Sequence, residues 1–184
     1  VNKVVLDRVT GCYGVLDVIN SGSAPELDPQ TVQYLREIAI EKGIHTIWFE
    51  AHYMYRNLLA GFAAQFSPIK VKFRCGIESF DPALRRCWNK GIPDGVTPEE
   101  IARHFCGVCL LCGTKGESQD HIVRDIETAL KHFEYMSVNV FCPNGTEVEA
   151  DAELIKWFGD EVYPKYKDHP SIEILLQNTD LGVG

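Results

Sequence analysis

The chain has 184 residues, with 18 Lys and Arg against 26 Asp and Glu, and its formal net charge is −8. Apolar residues make up 45% and charged residues 24%, which is ordinary for a folded protein, so we expect a single domain over residues 1–184. An acidic chain without a Lys/Arg block argues against a nucleic-acid partner, and no apolar run approaches the roughly 20 residues of a membrane span. We therefore expect neither a nucleic acid nor a membrane as partner.

The hydrophobic pattern alternates strands and helices along the chain. The predicted elements are a strand at 15–20, a helix from Asp28 and Pro29 to Gly43, a strand at 44–50, a helix at 53–66, a strand at 69–77, helices that begin at Asp81-Pro82 and Thr97-Pro98, a strand at 105–112, a helix from Ser118 to 133, a strand at 136–142, a helix from Asp151 to 166 and a strand at 172–176. Strands joined by helices of this length imply right-handed crossovers and one parallel sheet. The predicted fold class is therefore α/β.

The predicted strand at 69–77 alternates in polarity. Its odd positions, such as Val71 and Phe73, are apolar, whereas Lys70, Lys72 and Arg74 are charged. A sheet covered by helices on both faces would have nearly continuous apolar strands. We therefore predict a curved barrel or part-barrel whose lumen holds a polar ligand, with an open sheet that has one solvated face as the alternative.

Polar residues collect where the predicted strands end, the edge at which parallel α/β folds bind their ligands. These residues are Ser21, Gly22 and Ser23, Glu50 and His52, Glu78 and Ser79, Gly113 to Glu117, and Asn139. Glu50 and His52 suit either acid–base chemistry or a structural hydrogen-bond pair. The glycine turn at 113–117 suits either a ligand lying against the backbone or a plain connection between a strand and a helix.

The seven cysteines are odd in number and scattered, which is typical of free thiols in a reducing cytoplasm. Cys106, Cys109 and Cys112 first suggest a metal-ligand set. On a strand, however, Cys106 and Cys112 share a face about 20 Å apart and Cys109 points to the other face. We therefore predict buried thiols and no metal site.

Several stretches together resemble the radical S-adenosylmethionine (radical SAM) enzymes. Cys75-Gly-Ile-Glu78-Ser79-Phe-Asp-Pro-Ala-Leu-Arg85, followed by Asn89-Lys-Gly91, resembles the fourth strand and the following helix of that superfamily. Leu110-Leu-Cys-Gly113-Thr-Lys-Gly-Glu117 is similar to its fifth-strand segment, His121-Ile-Val-Arg-Asp-Ile126 to the next helix, and Val140-Phe-Cys-Pro-Asn-Gly-Thr146 to the end of its sixth strand. The resemblance extends over residues 15–166.

The resemblance implies a parallel (β/α)6-type partial TIM barrel that binds S-adenosylmethionine (SAM) beside a [4Fe-4S] cluster. Cleavage of SAM would give a 5′-deoxyadenosyl radical that abstracts hydrogen from a polar small-molecule substrate, such as a modified nucleoside or a peptide. The roles implied by position are the methionine end for Ser21, Gly22 and Ser23, the ribose region for Glu78 and Ser79, the adenine for Gly113 to Glu117, a place in the lumen for Asn139, and catalysis for Glu50, His52 and Arg74.

The sequence departs from the superfamily in one respect. The cysteine spacing C-x3-C-x2-C that holds the cluster is absent, and the chain begins with Val1 instead of Met. Counting strands, we expect the first strand and its cluster loop to precede Val1, so that this chain alone binds no cluster and has no radical activity. The alternatives are a non-catalytic part-barrel that has lost the cluster, and an unrelated α/β enzyme that uses Glu50 and His52.

Overall fold

The computed structural model describes residues 2–19 and 22–177 and divides the chain into two compact units, Val1–Cys75 and Gly76–Gly184. The strands in the described part are β1 (Val15–Val18), β2 (Thr46–Ala51), β3 (Lys70–Glu78), β4 (Gly107–Cys112), β5 (Tyr135–Val140) and β6 (Ile172–Leu175). Their order in the sheet is their order in the chain, and the pairs within each unit are parallel. The predicted α/β class is confirmed. The single domain stays a prediction.

The helices follow the predicted order, with three differences of detail. They are α1 (Asn2–Leu6), α2 (Pro29–Glu41), α3 (Leu59–Ala64), α4 (Pro82–Cys87), α5 (Pro98–Ala102), α6 (Gln119–His132), α7 (Ala152–Trp157) and α8 (Tyr163–Tyr166), with 3₁₀ turns at Ala24–Glu26 and Tyr53–Tyr55 and a π turn at Phe158–Val162. The sequence does not predict α1, and the π turn divides the predicted helix at 151–166. Within the described ranges, no helix has both the length and the apolar character needed to cross a bilayer.

The predicted helix at 53–66 begins late. His52 caps a single 3₁₀ turn, and α3 starts only at Leu59. Met54 and Leu58 are 64% and 57% exposed, so the first part of the segment has no apolar stripe to hold against the sheet.

The predicted helix starts are confirmed by their caps. The side chains of Asp28, Asp81 and Asp151 each accept from two backbone N–H groups of the helix that follows. Thr97 and Ser118 each accept from one. These bonds satisfy N–H groups that have no partner within a helix, which fixes where the chain leaves each turn and enters each helix.

In the first unit, an aromatic cluster packs α3 against one face of the sheet. Phe49 of β2 lies 5.2 Å from Phe62, 5.3 Å from Phe66 and 6.3 Å from Phe73 of β3, measured between ring centroids. Phe49 and Phe66 have no exposed surface. The helices therefore cover the apolar face of these strands.

In the second unit, the chain after β4 approaches α7 closely at Gly113. Gly113 has a φ of +91°, and a Cβ atom there would lie 2.5 Å from Cγ1 of Ile155. Gly116 has a similar φ of +93°, but no atom lies within 4 Å of the position of its Cβ. Of these two glycines, Gly113 is therefore required by both the backbone conformation and the packing, and Gly116 by the backbone conformation alone.

This pair of glycines separates backbone strain from steric overlap. We expect Gly116→Ala to lower the free energy of unfolding by about 1 to 2 kcal/mol, because an L side chain disfavours a positive φ. Gly113→Ala should lose about 1 to 3 kcal/mol more, because the new methyl group must displace Ile155. Urea denaturation measures both losses, and Ile155→Ala in the Gly113→Ala background should recover part of the second. Equal losses for the two glycine variants would contradict the close approach to α7.

Candidate functional site

In the first unit, one face of the sheet carries charged and aromatic side chains. The pairing places Asp17 opposite Trp48 and Trp48 opposite Lys72, and two residues further along it places Glu50 opposite Arg74. Paired residues of parallel strands, and residues two apart on one strand, point to the same side of a sheet. These five side chains therefore share the face opposite the aromatic cluster, as the polarity of β2 and β3 predicts.

The central contact of this face is an ion pair between Arg74 and Asp17. Arg74 Nη2 donates to Asp17 Oδ1 at 2.5 Å, across the width of β2. The Arg74 side chain is 4% exposed, whereas that of Asp17 is 40% exposed. The sequence pattern predicts Arg74 as a site residue but does not single out Asp17. The sequence does show that Asp17 is an acidic residue inside the strand Val15–Val18, but only the register of β1, β2 and β3 shows that it lies near Arg74.

Trp48 and Lys72 lie beside this pair. The Lys72 Nζ atom lies 5.1 Å from the centroid of the Trp48 ring, a cation–π contact. Glu50, two residues beyond Trp48 on the same strand, is partly exposed. The face thus combines carboxylates, cations and an aromatic plane.

His52 and Ser23 are joined at the end of β2. The His52 N–H donates to Ser23 Oγ at 2.9 Å, and His52 Nδ1 accepts from the Met54 N–H at 3.2 Å. An Nδ1 atom that accepts from a backbone N–H leaves the ring proton of a neutral histidine on Nε2. The two predicted residues therefore come together, and Glu50 lies two residues before His52 on the same strand end.

Glu26 holds the turn that contains Ser23. Its carboxylate accepts from the Ser23 N–H and from the Tyr55 hydroxyl, both at 2.6 Å. The hydrogen bond from Tyr55 lowers the pKa of Glu26 the most, and the bond from the Ser23 N–H lowers it further. Ser23 is buried and the predicted Gly22 is exposed, while Ser21 lies outside the described residues.

In the second unit, Glu78 ends β3 with an unusual backbone and a close cation. Its φ is +66°, and its carboxylate accepts from Lys90 Nζ at 2.9 Å, with both side chains largely buried. A positive φ at a residue other than glycine is strained and often marks a functional position.

The turn after Glu78 is held by polar groups from two directions. Asp125 of α6 accepts from the Phe80 N–H at 3.1 Å, and Ser79 Oγ accepts from the Asp81 N–H at 3.0 Å. Burial raises the pKa of Asp125, against the opposing effect of its bonds to Ser79 and Phe80. Arg85, 1% exposed, donates to four backbone carbonyls: those of Ser79, Phe80, Pro93 and Asp94.

Glu117 closes the turn that follows β4. Its Oε2 atom accepts from the Thr114 N–H at 2.6 Å and from Thr114 Oγ1 at 2.8 Å. Burial raises the pKa of Glu117 to about 7, partly offset by the bonds from Thr114, and the charge of Asp125 adds to the rise. Burial and then the charge of Glu117 raise the pKa of the Cys112 thiol. The turn is thus braced by an acid that titrates near neutral pH.

Asn139 of β5 has a buried side-chain oxygen that no described donor reaches. Its Oδ1 atom is inaccessible to solvent and has no hydrogen-bond partner within residues 2–19 and 22–177. Buried polar atoms in native proteins nearly always have a partner, so an unpartnered amide oxygen needs an explanation. A bound ligand with an N–H or O–H group would supply one.

No group of three or more His, Cys, Asp or Glu side chains in the described part of the chain is placed to hold a metal ion. Cys109 and Cys112 are buried, and Cys106 is partly exposed. The residues described thus do not fit a [4Fe-4S] cluster, which needs three or four thiolates.

Comparison with solved structures finds a strong likeness over the whole chain. A queuine lyase from Clostridium spiroforme, bound to SAM and queuine, is 38% identical with a TM-score of 0.92, and the match covers 100% of this chain and 79% of that one. SuiB from Streptococcus suis is 11% identical with a TM-score of 0.46, covering 87% of this chain and 48% of that one. No protein-family pattern and no curated protein sequence matches.

The likeness to the queuine lyase confirms the predicted partial TIM barrel as the fold class. It also confirms the family to which the motifs at the ends of β3, β4 and β5 point. With 38% identity along its whole length to a lyase bound to SAM, this chain belongs to the radical SAM superfamily.

Proposed function

We propose that this chain is the SAM- and substrate-binding part of a radical SAM enzyme that abstracts hydrogen from a small polar molecule of the queuine type. The observation that carries the proposal is the identity of 38% over the entire chain to a lyase bound to SAM and queuine. The polar sheet face of the first unit supports it, because a partly exposed face of charged and aromatic side chains suits a polar ligand.

The chemistry of the described groups fits SAM. At neutral pH SAM has a sulfonium, an ammonium and one carboxylate, and hence a net positive charge. Strand ends in this chain carry the carboxylates of Glu50 and Glu78, and Asn139 offers an oxygen to which no residue of the described ranges donates. Carboxylates and amide oxygens accept from ammonium and ribose hydroxyl groups.

The proposed roles on the cofactor side follow the resemblance. Gly22 and Ser23 receive the methionine end, where the Ser23 hydroxyl, which already accepts from His52, still has its own proton to donate. Glu78 and Ser79 lie near the ribose, and Gly113 and Glu117 flank the adenine, with Glu117 bracing its turn through Thr114. Ser21 belongs to the first group by position.

On the substrate side, Glu50 and His52 are the proposed catalytic residues, whereas Arg74, which is 4% exposed, acts through the carboxylate that it holds. Bound SAM would supply the radical that takes the hydrogen atom only after accepting one electron from a reductant that the described residues do not hold, and this chain's residues bind and orient the substrate. His52 holds its proton on Nε2 and so offers a hydrogen-bond donor, and Glu50 offers an acceptor on the same strand. Among the described residues, no set of thiolates is placed to hold a [4Fe-4S] cluster.

We also propose that the protein works in the cytoplasm. All seven cysteines lie within the described ranges, and none of them forms a disulfide there. Cysteines without disulfides, several of them buried, are typical of a reducing compartment.

Titration calorimetry of the chain with SAM and with queuine tests the proposed function. We expect saturable binding of both compounds, and no binding of adenine as a control that shares only one ring system with SAM. A chain that is folded by circular dichroism and binds neither SAM nor queuine would refute the proposal.

Asn139→Leu tests whether the unpartnered amide serves a ligand. We expect SAM or queuine to bind about fivefold or more weakly, because the variant loses a hydrogen-bond acceptor worth about 1 kcal/mol or more. Its melting temperature should be unchanged or higher, because no internal bond of Oδ1 is lost. Gln65→Leu, the same change of amide to leucine at an exposed position, is the matched control and should leave both affinities unchanged. A lower melting temperature with normal binding would assign Asn139 to the fold alone.

Glu117 gives the stability a predictable dependence on pH. Its pKa is about 7 in the folded chain against an ordinary value of 4.5, so between these values the folded state binds more protons than the unfolded state. Stability therefore falls as the pH rises from about 4.5 to about 7 and levels off above that. In thermal melts over pH 5 to 8, the melting temperature of Glu117→Gln should fall less than that of the wild type. Parallel profiles would show that Glu117 ionises normally.

A further inference from the structure

We propose that Asp17 is a specificity-determining residue that accepts hydrogen bonds from the donor edge of a guanine-type base, and that Arg74 is its positioning residue. The inference rests on the proposed function, because it takes a queuine-type base as the substrate. No motif singles out Asp17. The register of β1, β2 and β3 brings it to the polar face of the first unit.

The unequal burial of the ion pair indicates which partner is presented. Arg74 is 4% exposed and Asp17 is 40% exposed, with 2.5 Å between Nη2 and Oδ1. The buried Arg74 guanidinium binds the Asp17 carboxylate from the side of the sheet and leaves part of that carboxylate exposed. Asp17 is thus a hydrogen-bond acceptor whose position is fixed by the cation behind it.

Stability alone is a poor reason for such a pair. Removing the charge of Arg74 from water costs several kcal/mol, and its pairing with the partly exposed Asp17 has to offset that cost before the pair stabilises the fold at all. Phe73 and Cys75, which flank Arg74 and point to the other face of β3, are apolar and buried. On that face the strand is stabilised by apolar packing. The pair fits a role in fixing the direction of the Asp17 carboxylate.

The surroundings of Asp17 suit a flat, donor-bearing ligand. Trp48 is its register partner and presents an indole plane, and aromatic side chains stack readily on bases. Glu50 lies one step nearer the end of β2, in register with Arg74, and adds a second carboxylate. One face of the sheet thus carries an aromatic plane between carboxylate acceptors.

The hydrogen-bond donors and acceptors on the edge of a base determine whether it can bind to the Asp17 carboxylate. Queuine is built on 7-deazaguanine, whose N1–H and 2-amino groups are adjacent donors that one carboxylate accepts together. A 7-deazaadenine ring has an acceptor at N1 and no 2-amino group, so it would leave the carboxylate facing a lone pair. A site that hydrogen-bonds a substrate group rejects analogues that lack it, because its own polar atoms are left unpaired.

Three bases make this a measurable preference: 7-deazaguanine, 7-deazahypoxanthine, which lacks only the 2-amino group, and 7-deazaadenine. With the wild-type chain we expect 7-deazaguanine to bind about tenfold or more tightly than 7-deazahypoxanthine, since a bidentate pair contributes about 1 to 3 kcal/mol. In Asp17→Asn the ratio should fall to about one, with 7-deazahypoxanthine binding changed less than about threefold and SAM binding unchanged. Arg74→Lys, which keeps the charge but not the planar fork, should lose part of the preference.

Asp94→Asn is the matched control, because it breaks an aspartate–arginine pair, with Arg86, that is exposed on both sides. It should leave the preference intact. Should Asp17→Asn fail to fold, Asp17→Glu keeps the charge beside Arg74 and moves the carboxylate by one methylene group, and it should also reduce the preference.

The outcomes distinguish this inference from the proposed function. Wild-type chain that binds neither SAM nor any guanine-type base overturns both. Wild-type binding with a preference that survives in a folded Asp17→Asn or Asp17→Glu variant overturns only the role of Asp17. Equal weakening of all three bases in Asp17→Asn likewise overturns it, because the carboxylate would then not be reading the 2-amino group.

Discussion

The two-residue period of parallel strands in matched register is the constraint on which the first unit depends. Phe49 and Phe73 pack against Phe62 of α3, which fixes the face to which each of them points. The residues next to them on the same strands, such as Trp48 and Lys72, must therefore point to the opposite face. The same burial that stabilises the unit thus collects the ionisable residues into one surface, and a register shift of one residue would destroy both at once.

The second unit uses polar groups differently. Asp125, Arg85 and Glu117 bond to the backbone of the turns that follow β3 and β4. A turn buried against other elements must find partners for its N–H and C=O groups, and side chains supply them here. These residues fix the path of the chain at strand ends, where Glu78 and Gly113 have backbone conformations that are unusual for most residues.

The sequence predicts the order of the elements well because its signals are local. Strand polarity and the caps at Asp28, Asp81 and Asp151 require only neighbouring residues, and the structure has each of them. The ion pair of Asp17 with Arg74 joins residues that are 57 positions apart in the chain, and no local pattern predicts it. Among the described residues predicted at the strand ends, Glu50, Glu78 and Asn139 lie at or near the ends of β2, β3 and β5. Their roles toward a ligand stay predictions, because polar groups at strand ends, such as the Ser79 hydroxyl that accepts from the Asp81 N–H, also serve the fold.

Glu117 holds the turn after β4 and is also a proposed ligand-binding residue, and its pKa connects the two roles. An acid with a pKa of about 7 is held partly protonated by burial, although two hydrogen bonds from Thr114 favour its charged form. Burial outweighs these bonds, and the pKa of Glu117 comes to lie near neutral pH as a result. Any cation or donor that approaches the turn after β4 shifts this balance toward the carboxylate and strengthens the bonds that hold the turn. A positively charged ligand beside this turn would thus stabilise the loop that contacts it.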